Sequence, residues 1–427
     1  MLRRWRLHLF KHDHDLRADH SPWTLFLLVP AFLFVLIGCT NKFEVQTPPS
    51  ALQSTPSPTP TPSPTPFSAV ANYGVNLHDN SDYGAGNSTA INTQFQLMAA
   101  RHLTVARVGG VPGNGEIATT QNWIAAAQTY NMQLIFELDI SWLVTSDAST
   151  FTTNNQTTIY NTVYNTVYNF VLPYRNNTNI QWEIGNEIDL KTANTNGSPS
   201  GWNTGWAASD WANYSAFGSP DYYGNWAAAI KGATDALAAI NTLYGTNMQR
   251  VLNTTSTHLG FLDYMVSKGV NYEVISYHYY QYLGTDPTQL AAAQPGSGSI
   301  NSWNLFMGLA GYNKPVTVDE FNCAEIYANY LDTTSDPLYA TCLTNLRVQL
   351  GQFKNNILLN IQSIIAYELL DEPSNSAPEN HFGLFFNDGA GNYTPKANLY
   401  LWTDFAGGTL SPTESSVLSS FGLLPLP

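Results

Sequence analysis

Charge is scarce in this chain: Asp, Glu, Lys and Arg make up 11% of its 427 residues, against roughly 25% in ordinary globular proteins. The polar surface must come instead from Asn, Thr, Ser, Gln and Gly, which suits work outside the cell. Basic residues are scarcest past the N-terminus. After Cys39 there are 12 Lys or Arg against 28 Asp or Glu, a balance of −16. With no basic stripe to offset it, such a surface repels phosphates, which argues against nucleic acid as a partner. Histidine is nearly as rare. Five follow Cys39 (His78, His102, His258, His278 and His381), without a His-x-His or His-Glu-x-x-His among them, so no metal is expected. A Gly-x-Ser-x-Gly elbow for serine catalysis is missing too. The stretch after the first apolar run, GVNLHDNSDYG, holds no Gly-x-Gly-x-x-Gly turn, and no cofactor is expected.

Long apolar runs are limited to one. Thr24–Gly38 (TLFLLVPAFLFVLIG) follows Arg3, Arg4, Arg6, Lys11 and Arg17. That is the charge-then-apolar order of a secretory signal, and 15 residues are short for a spanning helix. The run closes on Leu36-Ile37-Gly38-Cys39, which resembles a bacterial lipobox. The resemblance implies a signal peptide over 1–38 and a lipidated Cys39 as first mature residue. An uncleaved anchor is the alternative, because the charged segment is long and carries Asp13, Asp15 and Asp19. Either route leaves the remainder outside the cytoplasm, tied to a membrane, and expected as a monomer. Residues 39–67 read as a linker. Within it, Thr47–Pro66 (TPPSALQSTPSPTPTPSPTP) cannot build a core, because alternating Pro fixes φ and removes donors. Fully extended as polyproline, it reaches on the order of 60 Å. Of the three cysteines, Cys323 and Cys342 remain for the domain over 68–427. They are candidates for a disulfide closing a loop of about 20 residues, or else two buried thiols.

From residue 70 onward one unit recurs: a short apolar run, a polar or glycine-rich loop, then an amphipathic segment. The runs are Tyr73–Leu77, Thr104–Val108, Gln133–Leu138, Ile180–Gly185, Arg250–Thr254, Tyr272–Tyr277, Pro315–Val318 and Ser363–Tyr367. Their near-continuous apolarity predicts parallel strands. Helices are predicted over Thr89–His102, Gln121–Asn131, Thr157–Leu172, Tyr223–Leu243 and Leu343–Leu359. Eight β-then-α units predict a closed (β/α)8 TIM barrel of the α/β class. An open doubly wound sheet is the rival, and it would normally carry the glycine-rich turn that is missing here. Barrel sites sit at the C-terminal ends of the strands. The polar residues there are Asn76, His78, Arg107, Glu137, Asp139, Asn186, Glu187, Thr255, His278, Tyr280, Asp319, Glu320, Glu368 and Asp371.

Two of these stand out. The fourth run ends Ile180-Gln-Trp-Glu-Ile-Gly-Asn-Glu187, and the seventh reads Pro315-Val-Thr-Val-Asp-Glu320. Carboxylates on strands four and seven of one barrel can approach to roughly 5 Å, close enough for one to act as nucleophile and the other as acid and base. The Asn-Glu pair ending strand four and the Glu ending strand seven resemble clan A of the glycoside hydrolases, retaining enzymes on (β/α)8 barrels. The resemblance implies that Glu187 is the acid/base, that Asn186 binds the sugar 2-hydroxyl and that Glu320 is the nucleophile. It extends to Arg107 in LTVARVGG, to His278-Tyr279-Tyr280, and to the closing FGLFFNDGAGNYTPKANLYLW, covering Tyr73 to Phe405. What it implies is hydrolysis of β-linked poly- or oligosaccharide; the loop aromatics and the Pro-rich tether lean towards attack inside the chain. In place of the Trp that the clan commonly has after strand eight stand Tyr367 and Glu368, so Tyr367 is the expected sugar platform.

Other residues keep two readings. Glu183 shares the inward parity of Glu187 and either orients Arg107, raises the pKa of Glu187 or forms a plain salt bridge. Glu137 and Asp139 either contact sugar hydroxyls or cap a loop. Asp319, beside Glu320, should face the helix layer if its strand is regular. Trp142, Trp202, Trp206 and Trp211 are candidates for stacking on sugars or for ordinary packing. The stretch Asp189–Asp221 is expected to shape one wall of the cleft. Two other functions share the same residues: a surface lipoprotein that only holds glycans, and a transglycosylase using the same carboxylates.

Overall fold

The computed structural model describes residues 70, 72–112, 117–144, 155–190, 211–212, 221–280, 285–294, 298–322, 337–376 and 379–425. The expected signal segment, Cys39, the Pro-rich linker, the side chain of Trp142, most of the expected cleft wall (191–210 and 213–220, with Trp202 and Trp206) and Cys323 lie outside the described residues. Cys342 is disulfide-bonded.

Eight parallel strands close a barrel among the described residues. They are β1 (Asn72–Asn76), β2 (Val105–Gly110), β3 (Gln133–Leu138), β4 (Ile180–Ile184), β5 (Gln249–Thr255), β6 (Val274–Tyr280), β7 (Val316–Asn322) and β8 (Ile361–Ala366). Each pairs with its sequence neighbours, and β8 closes on β1. A helix follows every strand: α1 (Ser88–Ala99), α2 (Ile117–Tyr130), α3 (Gln156–Val171), α4 (Tyr222–Tyr244), α5 (Leu259–Ser267), α6 (Leu305–Ala310), α7 (Pro337–Lys354) and α8 (Ala397–Phe405). The expected (β/α)8 fold is therefore the observed one. Two antiparallel hairpins interrupt the pattern, Leu290–Gln294 with Gly298–Trp303 and Phe385–Asn387 with Tyr393–Pro395.

Several helices start on neutral asparagine caps, while α4 starts on Asp221, which accepts from the Gly224 amide at 3.0 Å. Asn87, Asn155 and Asn304 accept hydrogen bonds from the first-turn amides of α1, α3 and α6, through Thr89, Thr158 and Met307. Each satisfies an amide that the helix itself cannot. In α3, Ile159, Val163, Val167 and Val171 recur every fourth residue and are fully or almost fully buried. Each contributes roughly 1.5–3 kcal/mol of apolar burial. The flanking stripe, Tyr160, Tyr164 and Tyr168, stacks ring on ring beside α4. Gly232 of α4 allows that approach, because a Cβ there would lie 2.6 Å from the Tyr160 carbonyl.

The main apolar core lies between barrel and helices. A second cluster, Val105, Ile135 and Ile365, is separate from it. Arg107, Ile135 and Gln181 are register partners on adjacent strands and so point the same way, into the barrel. The same inward parity brings Arg107 together with Glu183, one alternation above Gln181.

Candidate active site

The site grows from Arg107, which β2 carries into the barrel and burial keeps dry. A guanidinium has five N–H donors, and all five are used. Nε and Nη2 donate to Glu183 at 2.6 and 3.2 Å, Nη1 to Asn76 at 3.0 Å and Glu320 at 2.8 Å, and Nη2 to Asn186 at 2.8 Å. Burial works against its charge, but Glu183, Asp319 and Glu320 hold its pKa well above the usual value. Glu183 is thus the residue that orients Arg107. Its own carboxyl, raised by burial, is pulled below the ordinary range by Arg107.

Glu320 projects from β7 and receives Arg107 on one oxygen and the Tyr280 hydroxyl on the other. Burial and the Glu320 charge raise the Tyr280 phenol well above its usual pKa, so it remains a donor. Glu187 follows β4 through a tight turn. Gly185 has φ 72°, and a Cβ there would meet Ile188 at 2.4 Å. Glu187 itself sits in the left-handed region at φ 48°, a strained backbone for a residue with a Cβ. Its backbone N–H donates to Asn253 Oδ1 at 2.9 Å, which holds the turn. Behind it Asp189 accepts from the Thr255 amide and hydroxyl, both at 2.8 Å, and pairs with His258 at 3.0 Å.

His278 joins the two carboxylates. Nδ1 lies 2.9 Å from Glu187 Oε1 and 3.3 Å from Glu320 Oε2, while Nε2 lies 3.6 Å from Asp319 Oδ1. Burial opposes its charge, yet the Glu320 charge, the hydrogen bond to Glu187 and Asp319 push its pKa up to about 9. One oxygen each of Glu187 and Glu320 and a ring nitrogen of His278 lie within 4.8 Å of one another. Glu187 has 30% of its side chain exposed and Glu320 only 8%, so one can trade protons with water while the other is held. The spacing of these groups would suit a cation, but the arrangement already contains the Arg107 guanidinium and a charged imidazole, and a metal does not fit among them. At the rim, His78 donates to Glu372 at 2.7 Å and Tyr83 to Glu368 at 3.0 Å.

A pocket of about 340 Å³ opens above this group, lined among others by Asn76, Arg107, Glu137, Asn186, Glu320 and Tyr367. The Tyr367 ring borders it beside His78 and Tyr280, with centroids 5.6 and 6.4 Å away. Asp139 also lines it, and caps the following turn through the Ser141 amide at 3.0 Å.

One expectation is corrected, and for Trp211 the packing reading holds. Asp319 does not face the helix layer. Val318 is the partner of Tyr277 on β6 and Glu320 the partner of His278, so β7 carries one extra residue there. The same excess appears against β8, where Ile364 and Ala366 pair with Val318 and Phe321. This bulge turns Asp319 inward beside Glu320. Trp211 is no platform: it is buried edge-on against Tyr223, His258 and Phe261. Asn253 and Ser276 were missed. They are small neutral residues inside apolar strands, legible only as sharing the parity of Thr255 and His278.

No protein-family model and no curated protein matches the chain. Solved structures do. A GH5-4 broad specificity endoglucanase from an uncultured bacterium is similar over 80% of this chain and 96% of its own, at 12% identity and a TM-score of 0.50. A GH5_18 protein from Bifidobacterium longum subsp. longum, in complex with Manb1-4GlcNAc, is similar over 79% of this chain and 78% of its own, at 13% identity and a TM-score of 0.50. At these identities the likeness is one of fold.

Proposed function

We propose that the chain is a retaining glycoside hydrolase that cleaves β-linked poly- or oligosaccharide by double displacement. The observation that carries this reading is that His278 Nδ1 bridges the two carboxylates, 2.9 Å from Glu187 and 3.3 Å from Glu320, with one oxygen of each inside a 4.8 Å cluster too tight to leave a water's width between them. Retaining sites hold their carboxyl groups about 5–5.5 Å apart, whereas inverting sites need roughly 6.5–9.5 Å to admit water. Glu320, oriented by Arg107 and Tyr280, attacks the anomeric carbon. The glycosidic C–O bond breaks as Glu187 protonates the leaving oxygen. Glu187 then takes a proton from water, which displaces Glu320 and releases the sugar with its original anomeric configuration. Asn186, anchored by Arg107, is placed to bind the 2-hydroxyl, and Tyr367 to carry the ring. His278, charged between both carboxylates, steadies whichever of them is ionised.

The β-linked substrate and attack inside a chain are supported by the names of the similar structures, an endoglucanase and a complex with Manb1-4GlcNAc. A lipid on Cys39 and the Thr47–Pro66 spacer complete the proposal: a monomeric, membrane-tethered catalytic domain on the extracytoplasmic side.

Incubating the full chain with a panel of β-linked glycans, beside Glu187→Gln and Glu320→Gln, tests it. Cleavage with retention of anomeric configuration by NMR is expected, with each variant slower by about 10³-fold or more. Inverted product, or equal rates in all three proteins, would overturn it.

A further inference from the structure

Below the catalytic pair lies a carboxyl group that the reaction above does not use. Asp319 is fully buried on β7. It meets Glu183 at a single hydroxyl, Ser276 Oγ, which lies 2.6 Å from Asp319 Oδ2 and 3.0 Å from Glu183 Oε1. Ser276 Oγ also accepts from Asn253 Nδ2 at 2.7 Å. That amide's orientation is fixed, because its other end takes the Glu187 backbone N–H. A hydroxyl has one proton to donate. It cannot satisfy two ionised carboxylates, so one of them carries a proton and donates it to Ser276 Oγ.

Glu183 is the wrong holder, since it accepts two N–H groups from Arg107. Asp319 is the better one. Its Oδ1 is buried without a hydrogen-bond partner, a costly state for an ionised oxygen and a mild one for the carbonyl of an acid. The charged groups facing it are Arg107 from β2 at 3.4 Å, His278 from β6 at 3.6 Å, Glu183 from β4, and Glu320 on its own strand. Arg107 and His278 already balance Glu183 and Glu320. A third negative charge would compete with Glu320 for both cations.

We propose that Asp319 is a neutral carboxylic acid in the working protein, a positioning residue whose proton keeps Arg107 and His278 directed at Glu320. The positioning half rests on the glycosidase reading; the proton itself does not. Burial and the Glu183 charge, against Arg107 and His278, push the Asp319 carboxyl up to about 8, so the proton is retained at neutrality and lost in alkali.

The test is Asp319→Asn, which keeps the shape, donates to Ser276 through its amide and leaves an oxygen toward His278. Infrared difference spectra of substrate-free wild type minus this variant should show a protonated carboxylic-acid band near pH 6 that is gone by about pH 10. Activity of the Asn variant near pH 6 should stay within about threefold of wild type, while Asp319→Ala loses about tenfold or more. The alkaline decline of wild-type activity, centred near the Asp319 titration, should move upward in the Asn variant. Absence of the acid band, or an Asn variant as damaged as the Ala variant, overturns the proposal. Should the Asn variant not fold, ¹³C-aspartate NMR of the unaltered protein decides: a carboxyl titrating in the alkaline range supports it, and none doing so sinks it. A clear acid band in a protein that cleaves no glycan would instead remove the glycosidase reading and leave the proton assigned.

Discussion

Two levels of the same barrel interior differ by one step along each strand. On β2 the step runs from Val105 to Arg107, on β3 from Ile135 to Glu137, on β4 from Gln181 to Glu183, and on β8 from Ile365 to Tyr367. The lower level is neutral. Val105, Ile135 and Ile365 pack together, and the Gln181 amide donates to Gln249 and Gln362 at 2.6 and 2.8 Å. The upper level holds charge: Arg107 and Glu183 are buried, Glu137 and Tyr367 are half-buried, and each N–H of Arg107 is assigned to a partner. Cohesion that is indifferent to pH and chemistry that depends on it are thus stacked two residues apart. The strand direction separates them, as barrel geometry requires when side chains of one parity share one lumen.

That separation can be broken or sharpened by experiment. The largest effect is expected from Glu320→Gln at the upper level: kcat/KM falls by about 10³-fold or more, some 4 kcal/mol of transition-state stabilisation, with the melting temperature nearly unchanged. A large drop in melting temperature would mean that the Glu320 charge itself holds the fold. Arg107→Met comes next. It strands Glu183 and Glu320 without their cation, so denaturant unfolding should show a loss of about 3–5 kcal/mol, as for other broken buried pairs, together with lost activity. Ile135→Ala probes the lower level, and should cost about 2–4 kcal/mol of stability while turnover per folded molecule holds within about twofold. A separate test of the upper level is the pH dependence of stability. Asp319 and His278 both titrate higher when folded, near 8 and 9, than unfolded, near 3.9 and 6.5. Their contributions are fully present below the unfolded values and fade as pH rises through the folded ones. Melting temperatures should therefore decline from about pH 5 to pH 10, and Ile135→Ala should follow the same curve at lower temperatures. A flat profile would contradict the charged upper level.

How much of this was legible in the sequence depended on what fixes each feature. The eight strands could be read because apolar runs with β-branched residues are local signals. Their upper ends could not be bounded as well. β6 and β7 continue to Tyr280 and Asn322, beyond the expected Tyr277 and Val318, because the residues doing the work there are polar and look like loop. Arg107, Asn186, Glu187, His278, Tyr280 and Glu320 could be listed from strand ends and were singled out by the resemblance, and the structure brings all six together. The inward turn of Asp319 could not be read, since it depends on register against both neighbouring strands. Asn253 and Ser276 gave no signal either, because their importance lies in which proton each holds and not in residue type. The hairpin at Phe385–Asn387 was announced by its Asp388-Gly389 turn but passed over in favour of the β-then-α rhythm.

The bulge in β7 has a consequence for how this site can change. A regular strand offers the lumen one side chain in every two, about 6.6–6.8 Å apart. Here two successive carboxyl groups, Asp319 and Glu320, face inward, and no point substitution in a regular strand reproduces that pairing. Loss of a single codon between Val318 and Phe321 would restore plain alternation and leave the lumen one acid where it now has two. Gain of a codon would rotate Glu320 toward the helices. In this strand the number of residues is as much a part of the active site as their identity.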